Sequence, residues 1–81
     1  MMQLIHAPRG KSLRIVDVAG GESVRRRLFS LGFHNGDEIE LTGQGILRGP
    51  LLIKNIQSDV TVALGRGIAQ KIFVEVSDGS E

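Results

Sequence analysis

The sequence predicts a mainly β domain: a small, partly open barrel of five antiparallel strands, with one α-helix between the first and second strands. Three observations lead to this prediction. Apolar residues alternate with polar ones in several short stretches, which is typical of half-buried strands. One stretch instead repeats apolar residues every three or four positions, as an amphipathic helix does. The connections between the later strands are also too short for the crossovers that a parallel sheet requires.

The first predicted strand is residues 13–18 (LRIVDV). Leu13 and Ile15 share one face of a regular strand, whereas Val16 and Val18 share the other face, so strict alternation fails. A β-bulge adds one residue to a strand and shifts the faces beyond it. We therefore expect a bulge near Val16.

The predicted helix spans residues 22–31 (ESVRRRLFSL). Val24, Leu28 and Leu31 follow one another at spacings of four and three, which places them on one apolar stripe. Gly32 suits the left-handed conformation that commonly ends a helix. We expect the stripe to face the core of the barrel.

Four more strands are expected in the second half of the chain, where the apolar period becomes two. They are residues 37–42, 50–56, 60–64 and 72–76. A hairpin loop with an apolar tip at Ile46 and Leu47 should join the first two of these strands, and a short turn (GRGIAQ, 65–70) should join the last two.

Five short, twisted strands bury their apolar faces best by curling into a small barrel, with the helix over one open end. An SH3-like barrel is the expected fold, and a five-stranded oligonucleotide-binding barrel is the alternative. The domain is expected to span residues 1–76, and the tail 77–81 (SDGSE) is expected to be disordered.

Composition excludes several classes of function. The 81 residues include no cysteine, which rules out disulfides, thiolate zinc sites and thiol nucleophiles. No apolar stretch approaches the roughly 20 residues that span a bilayer, so a cytoplasmic location is expected. With two histidines and no GxSxG motif, no catalytic set can be assembled, and the chain is not expected to be an enzyme.

Two phenylalanines remain after each element has buried its periodic face. Phe29 lies roughly 130° from the centre of the helix stripe, with Arg25 beside it and Arg26 nearly opposite the stripe. Phe73 faces away from the apolar residues of the last strand. We expect these four residues, together with Ile46 and Leu47, to form a partner surface. The alternative is that a loop covers Phe29 and that the barrel buries Phe73.

A metal site is considered at His34, Asp37 and Glu38, which carry imidazole and carboxylate donors close together in sequence. Asp37 and Glu38 point to opposite faces of a strand, however, and residues 34–37 (HNGD) are also ordinary turn chemistry. No dedicated metal or cofactor site is therefore predicted. Weak binding of a divalent metal remains open.

Three segments, taken together, resemble the FeoA family of ferrous iron transport accessory proteins. The most specific is RRRLFSLGFHNGDEIEL, within GGESVRRRLFSLGFHNGDEIEL; the others are GPLLIKNI and VTVALGRGIAQKIFVEV. The resemblance covers residues 4–76 and implies a small cytoplasmic SH3-like protein that binds FeoB, a membrane permease with a GTP-binding domain. Such a protein would adjust the assembly or activity of the permease and meet the membrane only through it.

Two features set limits to the resemblance. Gly65 and Gly67 stand where relatives usually have more helix-favouring residues, so the turn there is expected to be looser. The same domain type also occurs in iron-dependent repressors. The alternative function is therefore a free-standing regulatory domain that acts on a metal-dependent repressor or on nucleic acid. Nucleic acid is not the expected partner, because only Arg25, Arg26 and Arg27 form a basic cluster.

Overall fold

The computed structural model describes residues 1–44 and 49–77. The predicted loop residues Ile46 and Leu47, and residues 78–81 of the predicted tail, lie outside the described residues. A 3₁₀-helix, Leu4–His6, follows the first strand. The strands and α-helices are β1 Met2–Gln3, β2 Ser12–Val18, α1 Gly21–Ser30, β3 Glu38–Gln44, β4 Leu51–Asn55, β5 Val60–Leu64, α2 Arg66–Ala69 and β6 Ile72–Val76.

The strands form one antiparallel sheet in the order β1-β6-β2-β3-β4-β5. Helix α2 follows the edge strand β5, and it contacts the 3₁₀-helix that follows the opposite edge strand β1. The two edges of the sheet therefore approach each other through these short helices, and the sheet curls around one core. This arrangement confirms the predicted fold class, a mainly β, partly open barrel with α1 between the first two long strands.

The core takes one face of each long strand and one stripe of α1. Leu28 of α1 is buried in this core, and Val24 and Leu31 are partly buried and pack against the core. The three residues of the predicted stripe therefore face the core, as expected. The other large side chains that are fully buried are Leu4, Leu13, Ile15, Phe33, Ile39, Leu41, Leu51, Ile53, Ile72 and Val74.

The expected β-bulge is present in β2. Ile15 pairs with Val74 and Asp17 pairs with Phe73, so β2 has one more residue than β6 over this interval. The extra residue changes which side chains face inward beyond the bulge. Val18 is consequently buried, as are Leu13 and Ile15 before the bulge.

Two elements differ from the sequence prediction. Within residues 1–44 and 49–77 the sheet has six strands instead of the five predicted, because the two-residue strand β1 pairs with β6. Strand β1 is too short to show any periodicity. The segment predicted as a turn forms helix α2, where Ala69 is buried and Ile68 packs against the core. This packing outweighs the poor helix propensity of Gly67.

Candidate functional site

The end of α1 turns the chain so that Phe29 stays outside. Gly32 adopts a φ of 96°, the amide of Gly32 donates to the carbonyl of Phe29, and the amide of Phe33 donates to the carbonyl of Leu28, both at 2.9 Å. These two bonds define a Schellman motif, which usually brings together the apolar residues three places before and two after the helix cap. Here those residues are Leu28 and Phe33, and both are buried. Phe29 is left 69% exposed.

Two shallow clefts lie side by side on this face. The first has a volume of about 230 Å³, and its lining residues are Val18, Arg25, Leu28, Phe33, His34 and Asn35. The second has a volume of about 260 Å³, and its lining residues are Glu22, Arg25, Arg26, Phe29 and His34. Arg25 and His34 line both clefts. We call the surface made of both clefts, with Phe29 in the lining of the second, the α1 face.

The ring of His34 is held on two sides. It packs edge-to-face against Phe29, with ring centroids 5.9 Å apart and planes inclined by 74°. Its Nδ1 lies 3.0 Å from Oδ2 of Asp37, a carboxylate that is buried. The same Oδ2 accepts the backbone N–H of His34 at 3.0 Å. His34 is thereby fixed at the rim, and its ring supports Phe29.

Asn55 connects this turn to the sheet. Its Nδ2 donates to Oδ2 of Asp37 at 3.1 Å and to the carbonyl of Gly32 at 2.8 Å. Its Oδ1 accepts the amide of Gln57 at 3.0 Å. The last residue of β4 thus ties the end of α1 to the turn that carries His34.

The three residues considered for metal do not converge. Asp37 points inward, whereas Glu38 lies on another part of the sheet, where its Oε1 accepts the hydroxyls of Ser12 at 2.7 Å and Ser77 at 2.8 Å. Those hydrogen bonds, with a smaller contribution from the Arg14 guanidinium, lower the pKa of Glu38 below its usual value. Among residues 1–44 and 49–77, no three His, Cys, Asp or Glu side chains are grouped as a metal site would need.

Positive charge on the α1 face is not neutralised from within the described residues. The ion pairs there between a lysine or arginine and a carboxylate are Arg14–Glu38 and Lys54–Asp59, and the other contact of this kind is the one between His34 and Asp37. In that part of the chain, the guanidinium groups of Arg25, Arg26 and Arg27 form neither an ion pair nor a side-chain hydrogen bond. Glu22 is the acidic residue of α1. The face therefore presents unpaired cations around an exposed aromatic ring.

The structure brings together three of the six residues predicted for a partner surface: Arg25, Arg26 and Phe29. Phe73 is half-buried on β6, where it pairs with Gln3 and Asp17, and it lines neither cleft. His34 joins the surface, although the sequence suggested it only as a metal ligand. The end of α1 at Leu-Gly followed by an apolar residue is the signal that could have placed Phe33 beneath this surface.

Comparison with protein families now identifies the chain. The family model of the FeoA domain matches residues 2–76, which is nearly the whole length of this chain. This chain belongs to the FeoA family. FeoA proteins act in ferrous iron transport, and the family is of the accessory or regulatory type. Comparison with curated protein sequences finds no match.

Solved structures agree with membership of the FeoA family. A crystal structure of the iron uptake regulatory protein FeoA is 27% identical, with a TM-score of 0.79 over 91% of this chain and 93% of that chain. FeoA from Stenotrophomonas maltophilia, an SH3 domain protein complexed with zinc, is 26% identical, with a TM-score of 0.68 over 93% of this chain and 91% of that chain.

A regulator shares the fold as well. A manganese-dependent transcriptional repressor in complex with manganese has a TM-score of 0.81 at 21% identity, over 93% of this chain and 36% of that chain. At this identity the likeness shows the fold alone.

Among the described residues of this FeoA-family chain, no helix is long and apolar enough to cross a membrane.

Proposed function

We propose that this protein is a cytoplasmic accessory of ferrous iron uptake that binds the cytosolic part of a FeoB-type GTPase permease and adjusts its assembly or activity. Membership of the FeoA family supports the process. The Stenotrophomonas relative has itself been suggested as a ferrous iron transport activating factor. The role proposed is that of a binding module without a catalytic step of its own.

The observation that carries this proposal is the exposed ring of Phe29. A phenylalanine that leaves 69% of its surface in water stabilises the isolated domain little. Aromatic residues, phenylalanine among them, and arginine are both enriched at protein interfaces. Arg25 borders the same cleft as Phe29. Its guanidinium forms no ion pair in the described part of the chain, so it can pair with a carboxylate of a partner. We therefore place the permease-binding surface on the α1 face.

Co-purification with the cognate permease tests the proposal. The tagged chain, expressed with the permease and extracted in mild detergent, should retain it. Phe29→Ala should weaken the interaction by about 1–3 kcal/mol, roughly 5- to 150-fold in Kd, because it removes the anchor of the surface. Leu52→Ala is the matched control, since Leu52 is also an exposed apolar residue but lines neither cleft.

Two results would contradict the proposal. One is failure to retain the permease in several detergents at native expression levels. The other is equal loss of binding in Phe29→Ala and Leu52→Ala, which would place the interface elsewhere. Retention of a metal-dependent repressor in place of the permease would favour the regulatory alternative.

A further inference from the structure

We propose that the α1 face recognises a short acidic segment of a partner protein, with one apolar side chain in the first cleft and carboxylates paired with Arg25 and Arg26. The inference rests on the proposed function and deepens it, because it names the chemistry of the partner segment. Three features of the α1 face carry it: an apolar floor, unpaired cations at the rim, and rings that are already held in place.

The floor of the first cleft is apolar. It is formed by Val18, Leu28 and Phe33, which belong to β2, α1 and the turn after α1. A volume of about 230 Å³ is below the 300–1,000 Å³ that is usual for sites of drug-sized ligands. The first cleft therefore has room for a single side chain of a partner, and its apolar floor favours an aliphatic or aromatic side chain.

The rim of the clefts selects for negative charge. Arg25 lines both clefts and Arg26 lines the second, and neither guanidinium has a protein partner in the described part of the chain. A guanidinium offers five donors in a planar fork that matches a carboxylate in bidentate fashion. A basic segment would instead meet like charges, which suppresses binding. The complementary partner is consequently acidic next to its apolar anchor.

A protein segment fits these features better than a nucleic acid. Nucleic-acid binding draws on many phosphate contacts spread over a basic surface. Here Arg25 borders the apolar first cleft, and Arg26 borders the second cleft beside it. Glu22 also lines the second cleft, so two cations stand against one carboxylate there, which suits a few separate carboxylates better than a continuous phosphate backbone. Carboxylates spaced on either side of one apolar residue match this mixed rim.

The rings beside the clefts are preorganised. Phe29 packs against His34, and His34 is fixed by the buried carboxylate of Asp37. Ordering a side chain on binding costs free energy, so rings that are held before binding lose less. Phe29, which lines the second cleft, can then contact the partner segment beside its apolar side chain while the arginines pair with the carboxylates.

Matched synthetic peptides test the inference on the full chain. The first peptide carries one central leucine flanked on both sides by glutamate and aspartate; the second has alanine at its centre; the third keeps leucine but has lysine flanks. Titration into ¹⁵N-labelled protein, followed by amide chemical shifts, reports both the site and the affinity. We expect the first peptide to shift the amides of Arg25, Phe29, His34 and Asn35.

The variants and the matched peptides should distinguish the contribution of the apolar cleft from that of the arginines at its rim. Replacing the central leucine by alanine should weaken binding about fivefold or more, and the lysine peptide should not bind. Arg25→Glu should weaken the acidic peptide about tenfold or more and allow the lysine peptide to bind. Lys11→Glu is the control for net charge, because Lys11 precedes β2 and lines neither cleft; it should change the affinity less than about twofold.

Several outcomes would overturn the inference. They are equal binding of the leucine and alanine peptides, equal binding of the acidic and lysine peptides, or shifts centred away from the α1 face. Binding of a single-stranded oligonucleotide at Arg25 without binding of the acidic peptide would overturn it in favour of nucleic acid. If the peptides behave as expected while the permease is not retained, the proposed partner is wrong and the recognition chemistry stands. If the permease is retained through Phe29 but no peptide binds, the chemistry is wrong and the partner stands.

Discussion

The carboxylate of Asp37 and the amide of Asn55 meet in the interior of the protein, with Oδ2 and Nδ2 3.1 Å apart. Both side chains are buried. Because Asn55 also donates to the carbonyl of Gly32, one amide group holds the turn that carries His34 against the end of α1. The α1 face therefore depends on a polar contact beneath it.

Asn55→Ala should lower the free energy of unfolding by about 1–3 kcal/mol. The change removes the hydrogen bonds from Asn55 to the buried carboxylate of Asp37 and to the carbonyl of Gly32. Oδ2 of Asp37 keeps the backbone N–H of His34, so the cost is that of one buried carboxylate with fewer donors than it has in the wild type. Urea unfolding measures the loss, with Gln57→Ala, an exposed neighbour, as the control. A loss below about 0.5 kcal/mol would show that water replaces the amide.

Leu28→Ala should lower the free energy of unfolding by about 2–5 kcal/mol, because Leu28 is 1% exposed in a thin core and its truncation leaves a cavity. Phe29→Ala, one residue further along the helix, should change it by less than about 0.5 kcal/mol, since the ring is exposed. Denaturant melts of both variants measure the difference. Equal losses would mean that Phe29 contributes to the core and not to a partner surface.

Gly20→Ala should lower the free energy of unfolding by about 1–2 kcal/mol or more. Gly20 has a φ of 94°, and a Cβ there would lie 2.7 Å from Cγ2 of Val24 and 2.9 Å from Cδ of Lys71. The left-handed conformation alone costs a residue with a Cβ about 1–2 kcal/mol. Gly65→Ala is the control, because Gly65 has a φ of −63° and open space around it. Thermal melts of the two variants should therefore separate, and coincident melts would contradict the prediction.

Glu38 should stabilise the protein near neutral pH and lose this effect in acid. Hydrogen bonds from Ser12 and Ser77 hold its pKa below the usual value of 4.5, so folding favours the ionised form. The contribution is present above pH 4.5 and disappears as the pH falls through the lowered pKa. The wild type should exceed Glu38→Gln in stability at pH 7, by about 1 kcal/mol or less because the site is partly solvated. The gap should narrow as the pH falls below 4.5 and close once the pH is below the lowered pKa of Glu38. A gap that is independent of pH would show that charge has no part in it; Glu75→Gln, at an exposed position, is the control.

Local patterns in the sequence were sufficient to predict α1, its end and the bulge in β2. Each depends on residues that are close together in the chain: the stripe through Leu28, the glycine at position 32, and the break in alternation at Val16. The exposure of Phe29 followed from the same helical geometry. These features are set by short-range physics, so one sequence is enough to predict them.

The polar support of the α1 face could not be predicted in this way. Asp37 and Asn55 are 18 positions apart, and no periodicity indicates that β3 and β4 bring them together beneath the helix end. From the sequence, Asp37 and His34 are interpreted as residues of an ordinary turn or as weak candidates for metal ligands. Their roles arise from strand pairing, which decides which distant polar groups become neighbours.

The contact between the two short helices, α2 and the 3₁₀-helix, has a consequence for the folding rate of the protein. It joins segments that follow opposite edges of the sheet, and β1 pairs with β6 across some seventy positions of the chain, Met2 opposite Val74. When native contacts join residues that are distant in sequence, the chain loses conformational entropy in closing large loops before those contacts can stabilise it. Small β barrels rich in such contacts fold on the order of milliseconds to seconds. The hairpins β3-β4 and β4-β5 close much smaller loops, so they should form early, with the seam between β1 and β6 among the last parts to assemble.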